Sequence, residues 1–466
     1  MLMRFNSLSI LILLTLGIAV FFPSAVFAQE ESFALGADIS WVQQDEACGV
    51  RFFHNGQQVD PFMVLKDHGF NYIRLRIFVD PLASIPNESE SPYVTTNLAR
   101  CNATTNRAYC GADSTVRMAQ RAKAAGMKVL LNFHYSDTWT DPGKQHLPMS
   151  WRGMTDTQIF ARVRQYTRES LEKFEAVDAL PDMVQVGNEN VSQIIGYNIN
   201  SANGAAVINA GIDGIKDVSS DIKVMVHTIN ERNPTGWLTN LINRGVNANR
   251  IDVFGLSYYV RYHGTPDSLQ RVLDRFISNT TFGNMKVSVV EYIANPPAAS
   301  DPRTHHRRVN DIIYNLPNNR GFGTFIWEPF RWTDGGTGVA LFDWRTGANS
   351  GLHSNQYLQD FPPMAAAYGI TDGQTNIINK NIPSGAVSGA EFNVNSRGII
   401  TYNSNIHSII TVYNMNGRVM GRINVNSPGI YNPRQLVQTP LRSGAYIIAV
   451  EPRDGKKRTF NSRIVK

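Results

Sequence analysis

The sequence predicts an α/β chain, a TIM (β/α)8 barrel followed by a small all-β, sandwich-like C-terminal module, and three observations predict it. Eight apolar runs recur at intervals that leave room for a helix after most of them. Two of those runs end in an acidic residue, Glu189 and Glu291. After Tyr368 the composition changes to short strand-like runs separated by turn dipeptides.

In chain order, Arg4 precedes an apolar stretch from Ile10 to Phe22, and Val26-Phe27-Ala28 offers a small-residue cleavage site before Gln29-Glu30. Residues 1–28 therefore read as a removed secretion signal, because the apolar stretch is short for an uncleaved anchor. The eight runs are Ala34 to Ile39, Tyr72 to Phe78, Lys128 to His134, Met183 to Gly187, Lys223 to His227, Val253 to Tyr258, Lys286 to Glu291 and Gly323 to Trp327. Continuous aliphatic runs suit parallel strands buried on both faces. Between them Val116, Met118, Ala119, Ala122 and Ala125 recur near helical spacing, and Gly126 supplies a stop. A doubly wound sheet is the competing α/β arrangement, but no Gly-x-Gly-x-x-Gly follows the first run.

The barrel is expected to span residues 29–370. Residues 371–390, rich in Asn, Gly, Ser, Thr and Ile without periodicity, read as a linker. In residues 391–466, Asn416-Gly417 and Asp454-Gly455 each stand between two strand-like runs, a pattern that predicts β-hairpins.

Three cysteines, Cys48, Cys101 and Cys110, allow one bridge in an exported protein, and the loop pair Cys101 and Cys110 is expected to form it, with Cys48 as an alternative partner for either. No Cys/His spacing suits zinc. The net charge of +6 is uneven: residues from 371 onward hold 12 Lys+Arg against 4 Asp+Glu. Those charges alternate with strand-like residues and read as a solvated face rather than a nucleic-acid or membrane surface.

Acidic side chains at the carboxyl ends of two parallel strands suit the rim on which such barrels build their sites. Glu189 follows Asn188, whose amide is suited to a sugar 2-hydroxyl, and the surroundings are rich in aromatics, so glycoside hydrolysis is the chemistry indicated. One carboxylate must then be an ionised nucleophile and the other hold a proton for the departing oxygen.

Several segments together resemble the endo-β-1,4-galactanases of glycoside hydrolase family 53. They are Gly36-Ala37-Asp38-Ile39-Ser40, the run from Gly69 to Arg76, Asn132-Phe133-His134-Tyr135-Ser136-Asp137-Thr138-Trp139-Thr140-Asp141-Pro142-Gly143, Val186-Gly187-Asn188-Glu189, Ser257-Tyr258-Tyr259, Val289-Val290-Glu291 and Trp327-Glu328-Pro329. The resemblance covers roughly residues 33 to 368. It implies a retaining enzyme on a TIM barrel that cleaves β-1,4-galactan in type I arabinogalactan, with Glu189 as acid/base and Glu291 as nucleophile. It also implies that Arg74 stands beside Glu291, and that Trp327 lies under the sugar at the point of cleavage.

Trp139, Trp151, Tyr258 and Trp327 are expected to form the sugar platform, and His134 and Asp137 to contact hydroxyls. The chain departs from the family's pattern at Val260-Arg261-Tyr262-His263-Gly264, which removes a proline and a ring and points to a different aglycone preference or a charged decoration. After Glu291 there is no long acidic loop of the kind that carries calcium in some bacterial members, so no metal or other cofactor is expected. The adjacent His305 and His306 are expected to be solvated.

Leu441-Arg442-Ser443-Gly444-Ala445-Tyr446-Ile447-Ile448 resembles the C-terminal sorting domain of the type IX secretion system. That resemblance implies export through the periplasm and the secretion machinery as partner. A carbohydrate-binding module is the alternative, although the module has no Trp for a sugar platform. The reading is thus a secreted or cell-surface monomer acting on a polysaccharide, without nucleic acid. A same-fold β-1,4-mannanase or xylanase and a non-catalytic surface glycan-binding protein are the alternatives.

Overall fold

The computed structural model describes residues 32–83, 109–230, 233–293, 302–330 and 341–370, and beyond these only strands between residues 392 and 464. The expected signal at 1–28, the linker at 371–390 and the dipeptides Asn416-Gly417 and Asp454-Gly455 lie outside the described residues.

Eight strands close a parallel barrel: β1 (Ala34–Asp38), β2 (Tyr72–Ile77), β3 (Lys128–Phe133), β4 (Met183–Val186), β5 (Lys223–Ile229), β6 (Val253–Ser257), β7 (Lys286–Tyr292) and β8 (Gly321–Trp327). Each pairs with its sequence neighbours, and β1 closes the ring against β8 and β2, with Asp38 level with both Trp327 and Arg74. Helices follow the strands: α1 (Pro61–Asp67), α2 (Ala112–Ala124), α3 (Asp156–Glu175), α4 (Ala202–Lys216), α5 (Pro234–Asn243), α6 (Pro266–Ser278), α7 (Pro302–Tyr314) and α8 (Phe361–Ala367). Their starts are written locally. Asp60 accepts from the backbone N–H groups of Phe62 and Met63, Thr155 and Gln158 form a capping box, and Asn233 caps α5 ahead of Pro234. Gly126, at φ 73°, ends the turn after α2.

Two cores result. The larger lies between barrel and helices and includes Leu35, Ile73, Leu131, Val184 and Val289. The smaller plugs the barrel interior with Ala34, Tyr72, Leu130, Met183, Met225, Val253, Val290, Phe322 and Phe325. Fully burying an aliphatic or aromatic side chain contributes about 1.5–3 kcal/mol, so the plug alone is a substantial part of the barrel's stability. Gly36 is required where β1 meets β8, because a Cβ there would collide with the Phe325 ring.

Beyond residue 370, Phe392–Val394, Ile400–Tyr402 and Gly429–Tyr431 pair antiparallel in one sheet. Ser408–Asn414, Val419–Val425, Gly444–Pro452 and Arg458–Ile464 pair antiparallel in another.

The cysteine expectation is corrected: Cys48 is disulfide-bonded and Cys110 is a buried thiol outside any disulfide, so Cys101, itself outside the described residues, does not pair with Cys110. The histidine expectation is corrected as well. His305 and His306 are both buried on α7, with the His306 ring against Tyr292 and Phe361 and the His305 ring stacked near Tyr258.

Candidate active site

Side chains on a strand alternate between faces, so the residues two positions beyond the apolar plug also point into the barrel. Tyr72 is followed by Arg74 and Arg76, Leu130 by Asn132 and His134, Met183 by Gln185, and Met225 by His227. A buried polar layer thus lies directly above the plug, at the carboxyl ends of the strands. On β7 the register against β8 breaks between Val289 and Tyr292, and that against β6 shifts at Leu256/Ser257. Such irregularities re-aim side chains, and Glu291 lies at this one. The backbone of Glu189 is in the left-handed region at φ 48°, just after Gly187 at φ 75°. A non-glycine residue held there costs on the order of 1–3 kcal/mol, strain of the kind that collects where a side chain must be aimed.

The two carboxylates have opposite surroundings. Glu291 Oε1 is 2.8 Å from Arg74 Nη1, and its Oε2 accepts from the Tyr259 hydroxyl at 3.0 Å. Arg74 is itself pinned, donating to Asp38 at 2.9 Å, to Asn188 Oδ1 at 2.9 Å and to Gln185 at 3.1 Å. Glu189 has no cationic partner of that kind. Burial first, and then the charge of Glu291, push its carboxyl up to about 8. Ser257 hydrogen-bonds Glu189 and works in the opposite direction.

Behind Ser257 stands His227. The backbone N–H of Glu189 donates to its Nδ1 at 3.0 Å, so Nδ1 is the acceptor and the proton resides on Nε2, 3.1 Å from Ser257 Oγ. Burial and the nearby Arg74 hold His227 far below its ordinary value, so the ring stays neutral. His227 thereby fixes both the backbone and, through Ser257, the carboxyl of Glu189.

Around this pair, Trp41, Trp139 and Trp327 line a cavity of about 450 Å³ that also holds Asp38, Arg74, His134, Asn188, Glu189, Tyr259 and Glu291. The Arg76 guanidinium lies 4.8 Å from both the Trp41 and Trp139 rings and pairs with Glu328 at 2.8 Å. A larger cleft of about 1240 Å³ shares Asp141, Glu189 and Tyr259 with it and runs out between α5 and α6.

Arg74, His134, Trp139, Asn188 and Trp327 are thus brought together with Glu189 and Glu291. His134 accepts at Nδ1 from the Thr140 backbone N–H at 2.8 Å. Asn188 gives one amide hydrogen to the Thr140 carbonyl at 2.8 Å, and among the described residues its second has no acceptor.

Three expectations are corrected. Trp151 is fully buried in the outer core, its ring 5.9 Å from Tyr166. Asp137 is tied to the backbone N–H groups of Met149 at 2.7 Å and Asp80 at 3.0 Å, so it joins loops and lines neither cavity. Tyr258 points away, its hydroxyl donating to the Gly264 carbonyl at 2.9 Å. Strand alternation explains the last: with Ser257 facing in, Tyr259 also faces in and Tyr258 cannot. The same two-residue count identifies Asn132, Gln185 and His227, which the motifs alone do not single out. Among the described residues no group of three or more His, Cys, Asp or Glu side chains is placed to hold a metal ion.

Residues 34–300 match glycosyl hydrolase family 53. An arabinogalactan endo-β-1,4-galactanase of Cellvibrio japonicus is 29% identical over 334 residues, covering 65% of this chain and 81% of the relative. An endo-β-1,4-galactanase of Bacillus subtilis is 31% identical over 337 residues, covering 66% and 72%. Among solved structures, one described under two fungal β-1,4-galactanases superposes with a TM-score of 0.58 at 27% identity, over 70% of this chain and 98% of that one. The Ignisphaera aggregans family 53 catalytic domain, 24% identical with a TM-score of 0.60 over 71% and 95%, shares the fold. The match over residues 34–300, more than half of the chain, shows that this chain belongs to glycosyl hydrolase family 53 and is a glycosidase.

Proposed function

We propose that the chain is a secreted retaining endo-β-1,4-galactanase acting on galactan and type I arabinogalactan. The observation that carries the reading is the division of labour between the two carboxylates, Glu291 paired with Arg74 and Tyr259 and Glu189 buried, with its proton affinity raised by that burial and by the charge of Glu291. In the first step Glu291 attacks the anomeric carbon while Glu189 gives its proton to the departing oxygen. Once the glycosyl ester forms, the charge on Glu291 is gone, which removes one cause of Glu189's raised proton affinity. Glu189 then ionises and takes a proton from the water that releases the sugar with retained configuration. The galactanase activity by which the relatives are named favours galactan over mannan or xylan as substrate.

Reducing ends released from β-1,4-galactan, β-1,4-mannan and xylan by the full chain test the substrate. Galactan is expected to be cleaved and the others not. Proton NMR of the first product tests the mechanism, since an α-anomer would rule out retention. The N-terminal segment as a secretion signal, read from its residue pattern, and the C-terminal strands as a type IX sorting domain, read from the resemblance at residues 441–448, complete the proposal.

A further inference from the structure

We propose that the large cleft binds the leaving-group segment of an acidic glycan, with a carboxylate on that segment held by Arg271 and Arg275 of α6. The inference rests on the galactanase reading for the polarity of the cleft. The smaller cavity contains both Glu189 and Glu291, whereas the larger contains Glu189 alone. A proton donor stands beside the departing oxygen and a nucleophile beneath the sugar being attacked, so the cavity that has only the donor receives the departing chain.

Two observations give that cavity a chemical preference. Arg271 and Arg275 lie one turn apart on α6 and both line it, with Arg275 Nε donating to the Arg271 carbonyl at 3.3 Å. Arg271 is exposed and makes no ion pair among the described residues. The acidic residues of the same helix are engaged elsewhere, Asp267 with Arg308 and Asp274 with Gln270. His263, also in the wall, is held neutral by burial, and among the described residues Asp141 is the other carboxylate besides Glu189 that lines the cleft. Independently, Asn230, at the end of β5, is 3% exposed and lines the cleft with an Oδ1 that has no hydrogen-bond partner. A buried carbonyl left without a donor is costly, and a sugar hydroxyl would supply one. Guanidinium groups and a hydroxyl acceptor lining one cleft suit a uronic acid better than a neutral hexose.

β-1,4-Galactotetraose reduced at its reducing end to the alditol and the same tetraose oxidised there to the aldonic acid are both open-chain at that end and differ only by a carboxylate in place of a hydroxymethyl group on the leaving-group side. The wild-type chain is expected to cleave the acid with a kcat/KM about tenfold higher at low salt, a preference two exposed ion pairs can supply. That ratio should fall to about one in 0.5 M NaCl and in Arg271→Gln/Arg275→Gln, and recover in Arg271→Lys/Arg275→Lys. Equal or poorer cleavage of the acid by wild type, or a ratio that the Gln pair leaves intact, overturns the proposal. Titration of trigalacturonate into the full chain separates this from the activity: if neither tetraose is cleaved, the galactanase reading fails. Saturable binding of trigalacturonate that the Gln pair weakens about tenfold then still supports the acidic cleft, and no saturable binding ends it.

Discussion

Glu189 and Glu291 bear the same functional group, and only their neighbours separate their roles. Glu291→Gln keeps the side-chain volume but removes the nucleophile, so galactan turnover should drop about a thousandfold or more. The same change removes the second-largest cause of Glu189's raised proton affinity, so NMR titration of Glu189 in that variant should find its pKa lower than in wild type. An unchanged value would mean the two carboxylates do not sense each other. In the wild type Glu189 must be protonated to act, so kcat/KM should decline as pH rises through about 8. With an aryl galactoside whose leaving group needs no proton, that limb should flatten, and in Glu189→Ala azide should restore turnover as a β-configured glycosyl azide. Stability follows the same group with its own sign. The folded-state value lies above the ordinary 4.5, so burying Glu189 costs nothing below pH 4.5 and progressively more up to about pH 8. Glu189→Gln should therefore gain Tm relative to wild type between those limits, and a constant offset would place the carboxyl in a wetter site.

At the scale of elements, the strand period decides which residues meet. Glu189 and Glu291 are legible in the sequence because a charged residue ending an apolar run has no reason to be there except the rim. Gln185 and His227 sit in or at the end of the apolar runs, and their inward direction exists only once the ring of strands closes, so they escape a motif-based reading. The mistaken choice of Tyr258 over its neighbour has the same origin, since an aromatic pair does not reveal which ring faces in until Ser257 fixes the phase. Trp151 carries no periodic signal at all: it lies in a short 3-10 turn, and packing against Tyr166 takes it into the outer core. Tyr259→Phe, which removes the hydroxyl on Glu291, should lower kcat with little change in Tm. Trp151→Ala should instead cost about 3–5 kcal/mol of stability and leave kcat on galactan near wild type in the folded fraction. A large loss of kcat in folded Trp151→Ala would return that ring to the cleft.

Over the whole molecule, charge and closure divide the chain at about residue 370. The basic excess lies beyond that point, while both carboxylates, their partners and both cavities lie before it. β1 pairs with β8 as well as β2, so the barrel has no open edge that a later strand must cover. A chain of residues 29–370 is therefore expected to keep full activity on soluble galactan and unchanged affinity for insoluble pectic material, measured by pull-down and reducing-end release. If residues 391–466 act as a sorting signal, the same truncation in the native host should leave the enzyme in the periplasm. Loss of binding to the insoluble material with export intact would instead make the tail a carbohydrate-binding module. Its antiparallel strands would then have to bind sugar without a single tryptophan, through the tyrosines and phenylalanines at 392, 402, 413, 431, 446 and 460.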